Sequence, residues 1–145
     1  MSFLPRVLKI GECLDPSIGY SYLALVGRFM RGKLSMGTRK QIETAQTVAV
    51  SAISCFEIEW LVRHGRVEMS VPLDEWFTLA LSLANVICLP ITGDIARLAA
   101  ALPEHHKDPQ DRIIIATAIF HKANVISADH CFCEYVELNN LLIQV

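Results

Sequence analysis

The chain has 145 residues, of which 52% are hydrophobic and 19% are charged, and its formal net charge is −2 at pH 7. This apolar content excludes a disordered or low-complexity chain, because such chains cannot bury enough apolar surface to offset their conformational entropy. The length predicts a single domain over residues 1–145, and the near-neutral charge gives no electrostatic indication of nucleic-acid binding.

Neither a membrane span nor a secretory signal is predicted. The most apolar stretch, Trp76 to Ile91, is interrupted by Ser82, Asn85 and Pro90 and is shorter than the roughly 20 residues that a membrane helix needs. The chain starts with no long apolar segment, so we expect no signal peptide. The five cysteines are scattered and odd in number, which fits free thiols in a reducing cytoplasm.

The first third of the chain combines weak and strong signals for short elements. Four elements are predicted here: a strand at Val7 to Leu14, helices at Ser21 to Met30 and Met36 to Gln46, and a strand at Thr47 to Ser51. The first strand is poor because polar residues interrupt it, whereas the last is a β-branched run typical of a buried strand. Ser54 then opens a helix, and Gly65 ends that helix as a C-terminal cap.

The rest of the chain alternates helices with strands. The predicted elements are a helix at Leu73 to Ala84, a strand at Val86 to Leu89, a helix that Thr92 caps and that runs to Pro103, a helix from Pro109 to about Lys122, a strand at Asn124 to Ser127 and a last strand at Leu141 to Val145. Such alternation predicts an α/β fold with a largely parallel sheet.

In a parallel α/β sheet, functional groups lie beyond the carboxyl ends of the strands. The acids in such positions are Asp15, Glu57, Asp111 and Asp129. Converging carboxylates raise one another's pKa unless a divalent cation neutralises them, and carboxylate ligands suit Mg²⁺ or Mn²⁺. Such a site activates water and stabilises a phosphoryl transition state. Asp15 and Asp129 also have contexts typical of turns, which is the alternative for both.

Helix capping is the alternative for the other acids. Ser54 and Glu57 have the spacing of a capping box, in which each side chain bonds to the backbone of the other. Asp108 has the form of an N-cap, and Asp111 then falls in the first helical turn, where negative charge complements the helix dipole.

These acidic segments resemble the motifs of PIN-domain ribonucleases. Residues 51–61, which contain Glu57, are similar to the second acidic motif of that family. Residues 105–118, with Asp-Pro-Gln-Asp-Arg at a helix start, look like the third motif in the variety carried by bacterial VapC-type toxins. Val125 to Asp129 is similar to the fourth motif. The resemblance runs from about Leu34 to the C-terminus, with matching order and spacing.

The resemblance implies a three-layer α/β/α sandwich with a mostly parallel central sheet and a Mg²⁺ or Mn²⁺ site that cleaves single-stranded RNA. By position, Glu57, Asp111 and Asp129 would bind the metal or orient metal-bound water. Ser127 would support a water or carboxylate nearby, and Asp108 would remain a helix cap that adds negative potential. A small antitoxin protein that covers the site and a homodimer are also implied.

The first 33 residues depart from the family pattern. The family's first strand ends in Leu-Asp-Thr or a similar sequence, and the nearest match here is Cys-Leu-Asp-Pro-Ser at residues 13–17. Asp15 is therefore the candidate first acid. The alternative is a catalytically degraded PIN-like domain that acts only by binding an antitoxin or RNA.

A run of positive charge suggests where RNA would bind. No acid stands between Asp15 and Glu43, while five basic residues do: Arg28, Arg31, Lys33, Arg39 and Lys40. Phosphate contacts dominate nucleic-acid affinity, so Arg39 and Lys40 are candidate RNA-binding residues. A solvated helix face is the alternative.

Other sites find less support in the sequence. A zinc site at His130 to Cys133 is not expected, because no second ligand pair stands at a usual spacing. His105 and His106 precede the acidic helix, where they could belong to the site, but we interpret them as loop histidines. No glycine-rich phosphate loop and no Gly-x-Ser-x-Gly nucleophile elbow is present. A remaining rival is an α/β regulatory or nucleotide-binding module in which every acid is a helix cap.

Overall fold

The structure is a computed structural model, which describes residues 7–10, 35–45, 47–66, 72–78, 81, 86–127 and 129–144. Asp15 and the helix predicted at Ser21 to Met30 lie outside these residues. Five described strands form one sheet in the order β3-β2-β1-β4-β5. The strands are β1 (Val7–Ile10), β2 (Val48–Ser51), β3 (Val86–Leu89), β4 (Ala123–Ser127) and β5 (Leu142–Gln144).

The central strand β1 runs opposite to the other four strands. It is antiparallel to both neighbours, with Val7 opposite Val50 of β2 and Ile126 of β4. The pairs β2–β3 and β4–β5 are parallel. The sheet is therefore mostly parallel in strand direction, as predicted, but β1 departs from that direction. As a result, β1 ends at Ile10 on the edge of the sheet opposite to the ends of β2 and β4.

Five helices flank the sheet in the described segments. They are α1 (Met36–Glu43), α2 (Ala52–Arg63), α3 (Leu73–Thr78), α4 (Gly93–Ala101) and α5 (Pro109–Phe120). The side chains of Thr92 and Asp108 cap α4 and α5, as predicted. Helix α1 ends three residues before its predicted end, and two 3-10 helices at His130–Glu134 and Val136–Leu138 were not predicted. None of these described helices has both the length and the apolar character that crossing a bilayer requires.

The start of α2 corrects one prediction. The helix begins at Ala52, directly after β2, and the Ser51 hydroxyl accepts a hydrogen bond from the Ile53 N–H at 3.4 Å. Ser54 therefore lies inside the helix, where its buried hydroxyl has no hydrogen-bond partner within the described part of the chain. The capping-box interpretation of Ser54 and Glu57 is wrong, because Ser54 is not at the helix boundary.

The end of α2 agrees with the prediction at Gly65. The Gly65 N–H donates to the Val62 carbonyl at 3.1 Å, and the Arg66 N–H donates to the Leu61 carbonyl at 2.8 Å. These two bonds form a Schellman motif. Gly65 has a φ of +65°, a conformation that disfavours residues with a Cβ atom.

Two apolar clusters on opposite faces of the sheet produce three layers. In the larger cluster, Ala49 of β2 and Val125 of β4 pack with Ile114 of α5 and with residues of α4. In the smaller cluster, Val50 of β2 packs with Ile58 of α2 and with partly buried residues of α3. Successive residues of a strand point to opposite faces, so β2 contributes to both clusters. This arrangement agrees with the predicted α/β/α sandwich.

Candidate active site

The elements that carry three of the predicted acids converge at one edge of the sheet. Val50 and Ile126 pair with the same residue of β1, so β2 and β4, which flank β1, end at the same edge of the sheet. Helix α2, which carries Glu57, begins here directly after β2. Helix α5, which carries Asp111, packs against both β4 and α2. Asp129 follows the end of β4 by two residues.

His106 joins Asp111 and Asp129. The His106 Nε2 atom lies 2.7 Å from Oδ2 of Asp111 and 3.1 Å from Oδ2 of Asp129. Asp111 lies in the first turn of α5 and is only 2% exposed, whereas Asp129 is partly exposed. One imidazole nitrogen therefore lies within hydrogen-bonding distance of two carboxylates. One carboxylate stands at the buried start of α5, and the other follows the end of β4.

The other nitrogen of His106 fixes the position of the imidazole proton. The backbone N–H of Asp108 donates to Nδ1 of His106 at 3.2 Å. Because Nδ1 accepts this hydrogen bond, it carries no proton, and the ring proton is on Nε2. His106 is therefore a neutral donor toward Asp111 and Asp129, whose like charges would otherwise repel each other.

The backbone of His106 is held by a buried tyrosine. The Tyr135 hydroxyl accepts from the His106 N–H at 3.0 Å and donates to the Pro103 carbonyl at 3.1 Å. Tyr135 is 1% exposed, and the ring of Phe132 stands edge-on to the His106 ring. The unpredicted 3-10 helix and the residue after it thus position His106.

Arg112 fixes the loop between α4 and α5. Its guanidinium donates to five backbone carbonyls, those of Ala99, Ala100, Leu102, Pro103 and His106, at 2.6 to 3.2 Å. Its positive charge also complements the negative end of the α4 dipole. Arg112 directly follows Asp111, so neighbouring residues of α5 build the site and hold the loop that carries His106.

Asp129 uses its two carboxylate oxygens differently. Its Oδ1 accepts from the Cys131 N–H at 2.9 Å and caps the 3-10 helix, while its Oδ2 faces His106. The Asp129 N–H donates to the hydroxyl of Ser127, which is 1% exposed. Asp129 therefore both starts a turn and faces the site, and Ser127 supports it through the backbone.

The other predicted site residues are less closely defined. Glu57 is half-buried in the second turn of α2, and Asp108 is the N-cap of α5. Lys40 is exposed in the last turn of α1. Asp15 and the side chain of Arg39 lie outside the described residues, and the strand that precedes Asp15 ends at the opposite edge of the sheet.

The donors at this edge fit a divalent cation. Two carboxylates, one of them buried, converge on a single proton donor, and a cation would offset their repulsion more strongly than a neutral imidazole does. The His106 Nε2, an Asp129 oxygen and the Cys131 sulfur also lie within 4.8 Å of one another. A metal on Nε2 would require the proton on Nδ1, which would oppose the Asp108 N–H. We therefore favour the carboxylates as ligands.

Sequence reasoning noted His106 beside the acidic helix but interpreted it as a loop histidine, and so missed its place between Asp111 and Asp129. A histidine in a loop has no periodic pattern, and its contacts come from Tyr135 and Asp129, which are far away in the sequence. Its position two residues before the helix cap Asp108 was the available signal.

Comparisons with known proteins agree with this geometry. The PIN-domain family model matches residues 29–138, so Asp15 lies before the matched segment. The chain is 39% identical over 117 residues to ribonuclease VapC22 of Mycobacterium tuberculosis (strain ATCC 25618 / H37Rv), which covers 80% of this chain and 85% of that protein. No solved structure matches the chain. The chain belongs to the PIN-domain family, in its VapC-type group.

Proposed function

We propose that this protein is a metal-dependent endoribonuclease that hydrolyses phosphodiester bonds of single-stranded RNA, as the toxin of a toxin–antitoxin pair. The observation that carries this proposal is the convergence of Asp111 and Asp129 on His106, in a chain related to a VapC ribonuclease. A module in which acids serve only as caps does not require a buried aspartate beside a second carboxylate.

The carboxylates of Asp111, Asp129 and Glu57 would hold Mg²⁺ or Mn²⁺, and Asp15 is a candidate fourth ligand. When bound, such an ion supplies an activated water and neutralises charge that develops on the phosphate. Asp111 contributes an oxygen whose position is fixed by burial and by the first turn of α5. Asp129 contributes Oδ2, the oxygen that faces His106, while its Oδ1 caps the 3-10 helix.

His106 has a separate role in this proposal. Its Nε2–H donates to the two carboxylates and offsets their repulsion. With those carboxylate oxygens engaged as metal ligands, the same N–H would be available to a phosphate oxygen of the RNA. Tyr135 and Arg112 keep the ring at the site through backbone hydrogen bonds, so they are positioning residues.

The proposed partners have partial support on the surface. Lys40 is exposed, as phosphate binding by Arg39 and Lys40 requires. Phe56 and Trp60 are exposed four residues apart on α2, so they form one apolar strip on that helix. Such a strip is typical of a protein-binding surface, which supports a homodimer or an antitoxin complex. A cytoplasmic location follows from the same proposal.

The test is cleavage of a mixed single-stranded RNA pool by the purified full-length protein, with Mn²⁺ and with EDTA. The Asp111→Asn and Asp15→Asn variants are assayed beside Asp94→Asn, an exposed first-turn aspartate of α4 that serves as the matched control. We expect cleavage that requires Mn²⁺, survives Asp94→Asn and is lost in Asp111→Asn. Circular dichroism verifies that each variant is folded.

The Asp15→Asn result separates the remaining alternatives. Loss of cleavage places Asp15 in the site, whereas retained cleavage makes it dispensable. If the folded wild-type protein cleaves no RNA with any divalent ion, the proposed activity is wrong, and the degraded, binding-only domain takes its place.

A further inference from the structure

Two cysteines touch outside the candidate active site. Cys55 lies in the first half of α2, and Cys88 lies on β3, opposite Val50 of β2. Because α2 starts directly after β2, the chain carries Cys55 back toward the neighbouring strand. The sulfur atoms of Cys55 and Cys88 are 3.8 Å apart, in direct contact.

The two thiols differ in their access to solvent. Cys55 is half-buried and packs against the small cluster formed by Val50, Ile58 and Val86. Cys88 is exposed on β3, which is an edge strand of the described sheet. A small oxidant can therefore reach Cys88 from solvent, while Cys55 is placed behind it as a second thiol.

We propose that Cys55 and Cys88 are an oxidisable dithiol, which forms an intramolecular disulfide between α2 and β3 when the protein meets a hydroperoxide. A disulfide needs a sulfur–sulfur distance of about 2.05 Å, so side-chain rotation must bring the sulfurs less than about 2 Å closer. Because the two sulfur atoms already touch, Cys55 and Cys88 are neighbours before oxidation, unlike thiols that are scattered over a protein.

The reaction balances with the hydroperoxide as oxidant. The Cys88 thiolate attacks the distal peroxide oxygen, and the O–O bond breaks. Cys88 becomes a sulfenic acid, and the alkoxide that leaves takes up a proton from water, which balances the proton that the Cys88 thiol released, and becomes an alcohol. The Cys55 sulfur then attacks the Cys88 sulfur, an S–S bond forms, and the sulfenic hydroxyl leaves as water with the Cys55 proton. Both sulfurs are oxidised and the peroxide is reduced.

The order of these steps has electrostatic support as well as steric support. A hydrogen bond from the Cys55 thiol lowers the pKa of Cys88 to about 7, while partial burial opposes this shift. The exposed cysteine therefore has the greater thiolate character, and the thiolate is the form that reacts with peroxides.

The experiment treats the folded full-length protein with tert-butyl hydroperoxide, alkylates the remaining thiols and maps tryptic peptides by mass spectrometry without reduction. Trypsin places Cys55 alone on residues 41–63 and Cys88 alone on residues 67–97, so the cross-link has an unambiguous signature. We expect these two peptides to be joined, with the loss of two hydrogen atoms. A disulfide also constrains the unfolded chain, so the melting temperature should rise by several degrees.

Matched variants separate this pair from general thiol oxidation. Cys133 is exposed and donates its thiol hydrogen to Gln144 Oε1 at 3.1 Å, so Cys133→Ser should leave the cross-link and the temperature shift unchanged. Cys88→Ser, at an exposed position, should abolish both. The proposal is overturned if the oxidised wild-type protein keeps both thiols free, or if Cys88 instead joins a second chain or another cysteine.

Discussion

The two sides of the candidate site are built very differently. On the α5 side, Asp111 is 2% exposed, bonds to His106 and lies over the larger apolar cluster. On the α2 side, Glu57 is half-buried on a helix that packs over the smaller cluster. The same motif reasoning selected both acids, yet only one of them is enclosed by the core.

This difference indicates how the two carboxylates would contribute. A carboxylate held by a packed core and a fixed hydrogen bond loses little entropy when it binds an ion. The Glu57 side chain is less enclosed and has three rotatable bonds, so it loses more conformational entropy when it binds an ion. We therefore expect the α5 side to dominate both metal binding and stability, with α2 making the smaller contribution.

The largest expected effect is on RNA cleavage. Asp111→Asn should reduce the rate on the order of 10³-fold, because it removes a preorganised charge from the site. Glu57→Gln should reduce it by roughly tenfold to a hundredfold. Single-turnover cleavage at saturating Mn²⁺ measures both rates, and an equal loss in the two variants would contradict the proposed asymmetry.

The next effect concerns the loop that carries His106. Arg112→Ala should lower the free energy of unfolding by about 3 kcal/mol, since it removes charged donors from several carbonyls at once. Thermal and urea unfolding measure the change. The matched control is Arg97→Ala, whose exposed 3.7 Å pair with Asp94 should contribute less than about 0.5 kcal/mol. If both variants lose a similar free energy of unfolding, Arg112 does not organise the loop.

A smaller effect should depend on metal. His106→Ala should destabilise the metal-free protein by about 2 kcal/mol, because the donor between two carboxylates is lost. Mn²⁺ should raise the melting temperature of this variant more than that of the wild type, since the cation then no longer competes with the hydrogen bonds from His106. His105→Ala, at an exposed neighbour, is the control. A smaller Mn²⁺ shift would instead identify His106 as a ligand.

The smallest effect contrasts two serines of the α2 side. Ser51→Ala should cost about 1 kcal/mol of stability, because the Ser51 hydroxyl caps the helix. Ser54→Ala should be close to neutral or slightly stabilising, because the buried Ser54 hydroxyl lacks a hydrogen-bond partner among the described residues. Chemical denaturation resolves both, and the opposite ranking would restore Ser54 as the functional cap.

Much of the fold could be predicted because local chemistry decides it. Asp108 before Pro109, Thr92 and Gly65 each satisfy backbone groups within a few residues, and the structure places all of them at helix ends. The cap prediction was wrong at Ser54 because Ser51 takes the capping role. The helix starts directly after the strand that ends at Ser51, which leaves no room for a later start.

What could not be predicted depends on distant parts of the chain. The direction of β1 is not encoded in the four residues Val-Leu-Lys-Ile, which form a strand equally well in either direction. The place of His106 is set by Tyr135, which is 29 residues away. The sequence thus indicated which acids to examine, while the histidine between two of them depended on tertiary contacts.

The adjacency of Asp111 and Arg112 has a mechanical consequence for α5. Successive residues of an α-helix point about 100° apart, so these two side chains reach in different directions from one turn. Rolling the helix about its axis would pull one away from His106 and the other away from the carbonyls that end α4. Two sets of contacts within a single turn therefore fix the rotation of α5 about its axis. As a result, the distance between Asp111 and the end of β4 should resist changes elsewhere along the helix.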